Sequence, residues 1–230
     1  MLIRCCGYGV QELVQELGRN RLSGVAARYL YLVRHGEALP DESGLSDRGR
    51  RQAGLLGEYL SSKPITVVSH GPLARAAQTA RLIAQAHGGA SLEVCMQEAA
   101  GDYLPYAPER GELPEQVADR AERLVGVYGP EERERGAKLA AEALRRFTGP
   151  VAGDVDRHEL VVTHNFLVGW LVRDALDAPA WRWLGVNQAN CGLTVIRYAP
   201  DRPSSVLVLN DLTHLPAELR WTGFPPELRV

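Results

Sequence analysis

The sequence predicts an α/β fold, namely a three-layer α/β/α sandwich with a mostly parallel central sheet of about six strands. Two observations predict this class. Short apolar runs typical of buried strands alternate along the chain with longer segments that have the apolar spacing of helices. The 230 residues, 45% hydrophobic and 23% charged, also suffice to bury a sizeable core. Since a parallel sheet is covered by helices on both faces, three layers are expected.

Six apolar runs are predicted as strands and four segments as major helices, whose starts and ends carry capping, proline or glycine signals. The predicted strands are residues 29–33, 65–68, 92–95, 160–163, 193–198 and 206–209. The first predicted helix begins at Ser46 or Asp47 and continues through Leu60, and the others are residues 73–86, 131–147 and 166–176.

The domain organisation is predicted from two segments that lack this rhythm. Residues 1–28 are polar and interrupted by glycine, and we interpret them as an N-terminal extension whose order the sequence leaves open. Residues 29–230 are predicted to form one domain. Within it, residues 99–130 are rich in glycine, proline and charge, and are predicted to be an insertion of loops with a short helix near 115–127.

Composition argues against several classes of partner. A net charge of −2 and a pI of about 6.3 give no global attraction to nucleic acid or to an anionic membrane. The four cysteines, at positions 5, 6, 95 and 191, form no CxxC pair, which is typical of a reduced compartment. No apolar run approaches the roughly 18 residues of a membrane span. We therefore expect a cytoplasmic protein without a nucleic-acid or membrane partner and without a cofactor.

Chemically competent side chains follow the predicted strands, and ligands of parallel sheets bind beyond the carboxyl ends of the strands. The residues in question are Arg34, His35, Gly36 and Glu37; Ser69, His70 and Gly71, with Arg75 one turn into the next helix; Glu98 and Asp102; and Thr163, His164 and Asn165. Arginines and histidines at one edge concentrate positive charge, which an anion would stabilise. Phosphate fits because a guanidinium binds it bidentately. Gly36 would let the backbone approach such a ligand closely.

Several of these residues also lie in segments that resemble the motifs of a known family. Residues 32–37 (LVRHGE) resemble the Arg-His-Gly signature of the histidine phosphatase superfamily, which has the phosphoglycerate mutase-like fold. Further segments resemble that family in the same order along the chain. They are residues 44–53 (GLSDRGRRQA), 72–80 (PLARAAQTA), 160–165 (LVVTHN) and 210–215 (NDLTHL). The resemblance covers about residues 29–215 and points to the phosphatase branch.

The resemblance implies a catalytic mechanism that involves a covalent intermediate. His35 would attack phosphorus and become transiently phosphorylated, which splits one displacement into two. Arg34, Arg75 and His164 would clamp the phosphoryl oxygens, and Asn165 beside them would contact substrate. No metal ion is needed, because the arginines supply the positive charge.

Two assignments stay open at this point. Glu98 is the favoured general acid because of its place directly after a strand, although Gly101 stands one position earlier than in many family members. Asp102 is its competitor. The order of segments assigns the clamp to His164 and leaves His70 at the rim, where it either touches substrate or is a loop residue.

The leading functional interpretation is a metal-independent phosphatase that hydrolyses phosphomonoesters of a small metabolite or of a protein side chain. One alternative is phosphoglycerate mutase-type transfer. It is disfavoured because the family's mutases carry a long basic loop where residues 38–44 are short and acidic. A catalytically inactive phosphate-binding protein is the other alternative. A metal site built from His35, His70 and His164 has no supporting HxH or HExxH spacing. The sequence sets neither the substrate nor the oligomeric state.

Overall fold

The computed structural model describes residues 24–88, 92–224, 227 and 229. Most of the predicted N-terminal extension, including Cys5 and Cys6, lies outside these residues. The division of the chain into an extension and one domain therefore stays a prediction.

Six strands form the central sheet, and four of them run parallel. In spatial order they are Glu93–Met96 (β4), Val67–His70 (β3), Arg157–Thr163 (β6), Arg28–Arg34 (β2), Leu193–Ala199 (β7) and Arg202–Asp211 (β8). The first four are mutually parallel, whereas β7 pairs antiparallel with both β2 and β8. A separate two-stranded ribbon joins Val25–Ala26 (β1) to Val151–Ala152 (β5).

Helices cover both faces of this sheet. They are Asp47–Leu60 (α1), Ala74–His87 (α2), Glu115–Gly126 (α3), Pro130–Phe147 (α4) and Asn165–Ala175 (α5). Successive side chains of a strand point to opposite faces of the sheet, so the residues of β2 belong to two different hydrophobic cores. Leu30 and Leu32 pack with the α4 and α5 side, and Tyr31 and Val33 pack with the α1 and α2 side. The predicted α/β sandwich with a mostly parallel sheet is confirmed.

Local signals position the elements that lead into the site. The Ser46 side chain accepts a hydrogen bond from the Gly49 backbone N–H, so Ser46 is the N-cap of α1. The second predicted strand begins two residues late, at Val67, although Ile65 is buried beside it. Residues 98–100 form a 3-10 turn directly after β4, and α3 is the short helix predicted near 115–127. Within the described ranges, no helix is long and apolar enough to cross a membrane.

Candidate active site

A cavity of about 510 Å³ opens at the carboxyl edge of the parallel strands. Five residues predicted from the sequence line it, namely Arg34, His35, Arg75, His164 and Asn165. Asp102, from the segment after β4, also lines it. The fold therefore brings together the side chains that the sequence places at the ends of four different strands.

The His35 ring is held in one orientation by its own backbone and its neighbours. Its Nδ1 lies 2.8 Å from the Gly36 carbonyl oxygen, and because a carbonyl only accepts, Nδ1 carries the proton. The lone pair is therefore on Nε2, 3.2 Å from the Nε of Arg75, which donates to it. The His35 backbone is fixed by Thr163, whose carbonyl accepts its N–H, and by the Asn190 amide, which donates to its carbonyl. An unprotonated nitrogen facing the cavity is the arrangement that nucleophilic attack requires.

His164 lies next to His35 and lacks hydrogen-bond partners. The two ring centroids are 5.0 Å apart, and the His164 side chain is 2% exposed. Neither of its ring nitrogens makes a hydrogen bond within the described part of the chain. Burying polar atoms away from water without hydrogen-bond partners costs free energy. A ligand with acceptor atoms in the cavity would reduce that cost.

Both histidines are neutral at ordinary pH. Burial lowers the pKa of His35 to about 3, helped by His164, Arg34 and Arg75 and opposed by the Gly36 hydrogen bond. Burial likewise lowers the pKa of His164 to about 3, with Arg75 and Arg34 acting in the same direction. A dianion in the cavity would offset the arginine charges and stabilise a protonated His164.

Arg34 is anchored by two backbone carbonyls from distant parts of the chain. Its Nη1 donates to the carbonyls of Gln188 (2.8 Å) and Gly223 (3.0 Å), and its buried Nε has no partner in the described residues. Burial lowers the pKa of Arg34 to about 10, so the guanidinium stays charged. Gly223 has φ +78°, and a Cβ there would lie 2.8 Å from Nη1, so the close approach requires glycine.

Arg75 contacts an acceptor at each of its three nitrogens. Besides the Nε contact to His35, its Nη1 lies 3.1 Å from a Glu42 oxygen and its Nη2 lies 2.9 Å from an Asp102 oxygen. The Arg75 side chain is 7% exposed, so this charge is nearly buried. In the free protein, carboxylates thus contact both terminal nitrogens of the side chain that the sequence predicts to bind phosphoryl oxygens.

The two candidate acids occupy different places. Asp102 lies between Arg75 and His164. One of its carboxylate oxygens lies 2.9 Å from the Nη2 of Arg75 and 3.4 Å from the Nδ1 of His164. Glu98 does not line the cavity that contains His35. It lines an adjoining cavity of about 260 Å³, where it lies 3.8 Å from Arg135 and is 55% exposed. Asp102 and Tyr128 line both cavities. The geometry favours Asp102 as the carboxylate beside the phosphoryl position.

The structure corrects the placement of His70 and adds a packing role for Gly36. His70 is expected at the rim, but its ring is buried, its Nδ1 bonds to the Gly71 carbonyl, and it does not line the cavity. A Cβ at Gly36 would lie 2.6 Å from the Gly49 carbonyl oxygen, so glycine lets this loop pack on α1. The approach of Gly36 to a ligand stays a prediction. In the described ranges, no three His, Cys, Asp or Glu side chains are arranged to hold a metal ion.

Several supporting residues were missed by the sequence analysis. They include Thr79, which accepts from the Gly36 N–H, and Gln188 and Asn190, which hold Arg34 and His35. The last two precede β7. Because β7 is antiparallel to β2, the start of β7 lies at the same edge as the end of β2. Examining only the residues after strands could not find them.

A family model and several relatives match most of this chain. Residues 30–211 match the family model described as histidine phosphatase superfamily (branch 1). The chain belongs to that superfamily. Mitochondrial serine/threonine-protein phosphatase Pgam5 of Drosophila grimshawi is 28% identical over 215 residues, which cover 88% of this chain and 70% of the relative. The "Probable phosphoglycerate mutase GpmB" of Yersinia pestis is 27% identical over 181 residues, covering 74% and 84% respectively.

Solved structures of the superfamily share the fold. Bacillus stearothermophilus YhfR has a TM-score of 0.58 at 21% identity, covering 82% of this chain and 100% of that one. The alpha-ribazole phosphatase of Shigella flexneri has a TM-score of 0.54 at 19% identity, covering 80% and 96%. The predicted family is confirmed, and so is the predicted class of enzyme, a phosphoric monoester hydrolase of the histidine phosphatase type.

Proposed function

We propose that this superfamily member hydrolyses phosphomonoesters through a phosphorylated His35, without a metal ion. The observation that carries the proposal is the set of unpartnered polar atoms in the cavity. Both nitrogens of His164 and the Nε of Arg34 are buried without hydrogen bonds in the described structure, next to the unprotonated Nε2 of His35, which accepts from Arg75. A tetrahedral dianion accepts hydrogen bonds from the Nε of Arg34 and from a protonated His164, and it leaves the lone pair of His35 for attack on phosphorus.

The first step transfers the phosphoryl group to the histidine. The Nε2 lone pair of His35 forms a bond to phosphorus while the bond to the ester oxygen breaks, and its electron pair leaves with that oxygen. Arg34, Arg75 and His164 stabilise the charge that spreads over the other phosphoryl oxygens. A carboxylic acid gives its proton to the leaving oxygen, which departs as an alcohol.

The second step reverses the roles. The carboxylate takes a proton from water, and the water oxygen attacks phosphorus as the phosphorus–nitrogen bond breaks. The bonding electrons return to the Nε2 of His35, which restores the free enzyme and releases phosphate.

Asp102 is the acid that the geometry favours, and Glu98 is the acid that its position in the sequence favours. When phosphate takes over Arg75, Asp102 loses its cationic partner and lies beside a dianion, which stabilises its protonated form. Glu98 would act from the adjoining cavity on a leaving group that extends there. The dependence of the phosphorylation rate on the leaving group distinguishes the two.

The substrate is proposed as a class. The name of the Pgam5 relatives supports a phosphorylated serine or threonine side chain, and a small phosphorylated metabolite is the alternative. Phosphoglycerate mutase-type transfer is the second candidate function, since the relative from Yersinia pestis carries that name. Against it, the loop over residues 38–44 places the Glu42 carboxylate, and no arginine, at the cavity wall.

Location and partners remain proposals of the same kind. A cytoplasmic location was expected from the sequence, whereas the Pgam5 relatives are named as mitochondrial. The near-neutral charge supports the absence of nucleic-acid and membrane partners.

The phosphohistidine step is tested by trapping the intermediate. Radiolabelled substrate quenched in base should leave acid-labile phosphate on the wild-type enzyme and none on His35→Asn, which should also lose turnover. His70→Asn is the matched control, because its Nδ1 bonds to the next glycine carbonyl as that of His35 does, yet it lies outside the cavity. Label retained in His35→Asn would refute the mechanism.

A further inference from the structure

The free site already holds two anions of its own. Glu42 and Asp102 contact the two terminal nitrogens of Arg75, at 3.1 and 2.9 Å. A phosphoryl dianion bound bidentately to the same guanidinium would lie beside both carboxylates, and like charges at such distances repel. One carboxylate must therefore take up a proton or move away. Asp102 is placed to do the first, as an acid, which leaves Glu42 to move.

Glu42 is the more easily displaced of the two. Its side chain is 70% exposed, against 40% for Asp102, and an ion pair with one exposed member contributes little to stability. It belongs to a loop rather than to a helix or strand. Releasing its carboxylate to water therefore needs no change in the core.

The backbone nevertheless keeps Glu42 at the cavity wall. The loop is closed by hydrogen bonds from Leu39 N–H to the Gly44 carbonyl and from Glu42 N–H to the Leu39 carbonyl, each 2.9 Å. It is tied to α2 by the Leu45 N–H, which donates to the Gln78 side chain one turn beyond Arg75. Glu42 itself has φ +58°, a conformation that disfavours a side chain. The strained backbone is thus anchored to the helix that carries Arg75.

We propose that Glu42 determines specificity in the proposed phosphatase site. Its carboxylate competes with the phosphoryl group for Arg75 and, once displaced, acts on the organic part of the ester. Esters with a second anionic group next to the phosphate are disfavoured, and esters with a protonated amine or guanidinium there are favoured. This inference rests on the proposed function, because it concerns the same phosphate site.

The other charged side chains around the site also favour a cationic group over an anionic group on the substrate. The two adjoining cavities are lined by five carboxylates and three guanidiniums. The carboxylates are those of Glu37, Glu42, Glu98, Asp102 and Glu132, and the guanidiniums are those of Arg34, Arg75 and Arg135. Since phosphate adds two further negative charges, the part of the substrate beyond it meets a negative wall.

The competition is measured by binding inorganic phosphate. Isothermal titration calorimetry should show phosphate binding to Glu42→Gln on the order of three- to tenfold more tightly than to wild type, since one competing unit charge is removed. Asp41→Asn is the matched control. The Asp41 carboxylate bonds to Ser43, does not line the cavity, and its loss should leave the affinity unchanged. Equal affinities for wild type and Glu42→Gln would overturn the inference.

The selectivity is measured with three esters of similar size: O-phosphoethanolamine, 2-hydroxyethyl phosphate and 2-phosphoglycolate. Wild type should hydrolyse O-phosphoethanolamine with the highest kcat/KM and 2-phosphoglycolate with the lowest. In Glu42→Gln, the ratio of these two kcat/KM values should fall by a factor of up to about ten. An unchanged ratio would also overturn the inference. Failure of the proposed function has a different signature, since wild type would then neither bind phosphate nor hydrolyse any of the three.

Discussion

Replacing Asp102 by asparagine should change catalysis and phosphate affinity in opposite directions. Asparagine keeps the shape of the side chain but cannot supply a proton. An acid that protonates an alkoxide leaving group contributes about 10²- to 10⁴-fold, so the phosphorylation step with an alkyl phosphate should slow by that factor. Nitrophenolate needs little help to leave, so its phosphorylation step should slow much less.

The same change should tighten phosphate binding. The carboxylate at 2.9 Å from Arg75 competes with the ligand, and it is 40% exposed, so solvent screens the pair. With that screening, removal of the carboxylate should strengthen phosphate binding by about 1 kcal/mol, which lowers the dissociation constant roughly fivefold. A variant that merely misfolds would lose both binding and catalysis.

Rapid-quench measurement of phosphoenzyme formation gives the rate of the first step directly. Steady-state rates would mislead, because the same carboxylate assists dephosphorylation. Glu98→Gln serves as the matched comparison and should show little dependence on the leaving group. If Glu98→Gln instead slows alkyl esters selectively, and Asp102→Asn slows both substrate types equally, the assignment made from the geometry is wrong.

Three further outcomes are expected. Activity should survive exhaustive chelation, because the arginines supply the positive charge; loss on chelation that a divalent ion restores would contradict this. Between about pH 7 and about pH 5, wild type should lose about 2 kcal/mol more unfolding free energy than His164→Gln. The pKa of His164 is lowered from 6.5 to about 3, so in this pH range only the unfolded chain binds that proton. Urea denaturation at both pH values measures the unfolding free energies, and an equal loss in wild type and His164→Gln would contradict the prediction. Finally, Gly49→Ala should destabilise the protein by about 1–3 kcal/mol, since a Cβ there collides with the Glu37 carbonyl. In the same helix, Gly54→Ala meets nothing within 4 Å and should be neutral or stabilising in thermal denaturation.

The fold was predictable because its signals are local. Apolar runs located all six strands of the central sheet, with starts that differ by up to four residues (Arg202 for a predicted 206), and Ser46 marked the start of α1 through its capping oxygen. The rule that ligands lie beyond strand ends then located His35 and His164. These features depend on the order of residues along the chain, which the sequence contains directly.

The details of the site were not predictable in the same way. Glu98 and Asp102 are four residues apart, and a 3-10 turn begins at Glu98. Asp102 lines the cavity that contains His35 and the adjoining cavity, whereas Glu98 lines the adjoining one and not the first. Asn190 was missed because it precedes β7, which runs antiparallel to β2. The position of Glu42 depends on a left-handed backbone and on an anchor from Gln78. Each of these depends on three-dimensional placement rather than on residue type.

The anchor of Arg34 makes residues 222–224 part of the site's support. The hydrogen bond from Arg34 to the Gly223 carbonyl joins residues 189 positions apart, and the Thr222 carbonyl accepts from the Asn190 N–H. The Asn190 side-chain amide in turn donates to the His35 carbonyl. A change that displaces this segment would leave the Asn190 N–H and one Arg34 contact unsatisfied, which is unfavourable for buried groups. The positions of His35 and Arg34 therefore depend on a segment that itself carries none of the predicted site residues.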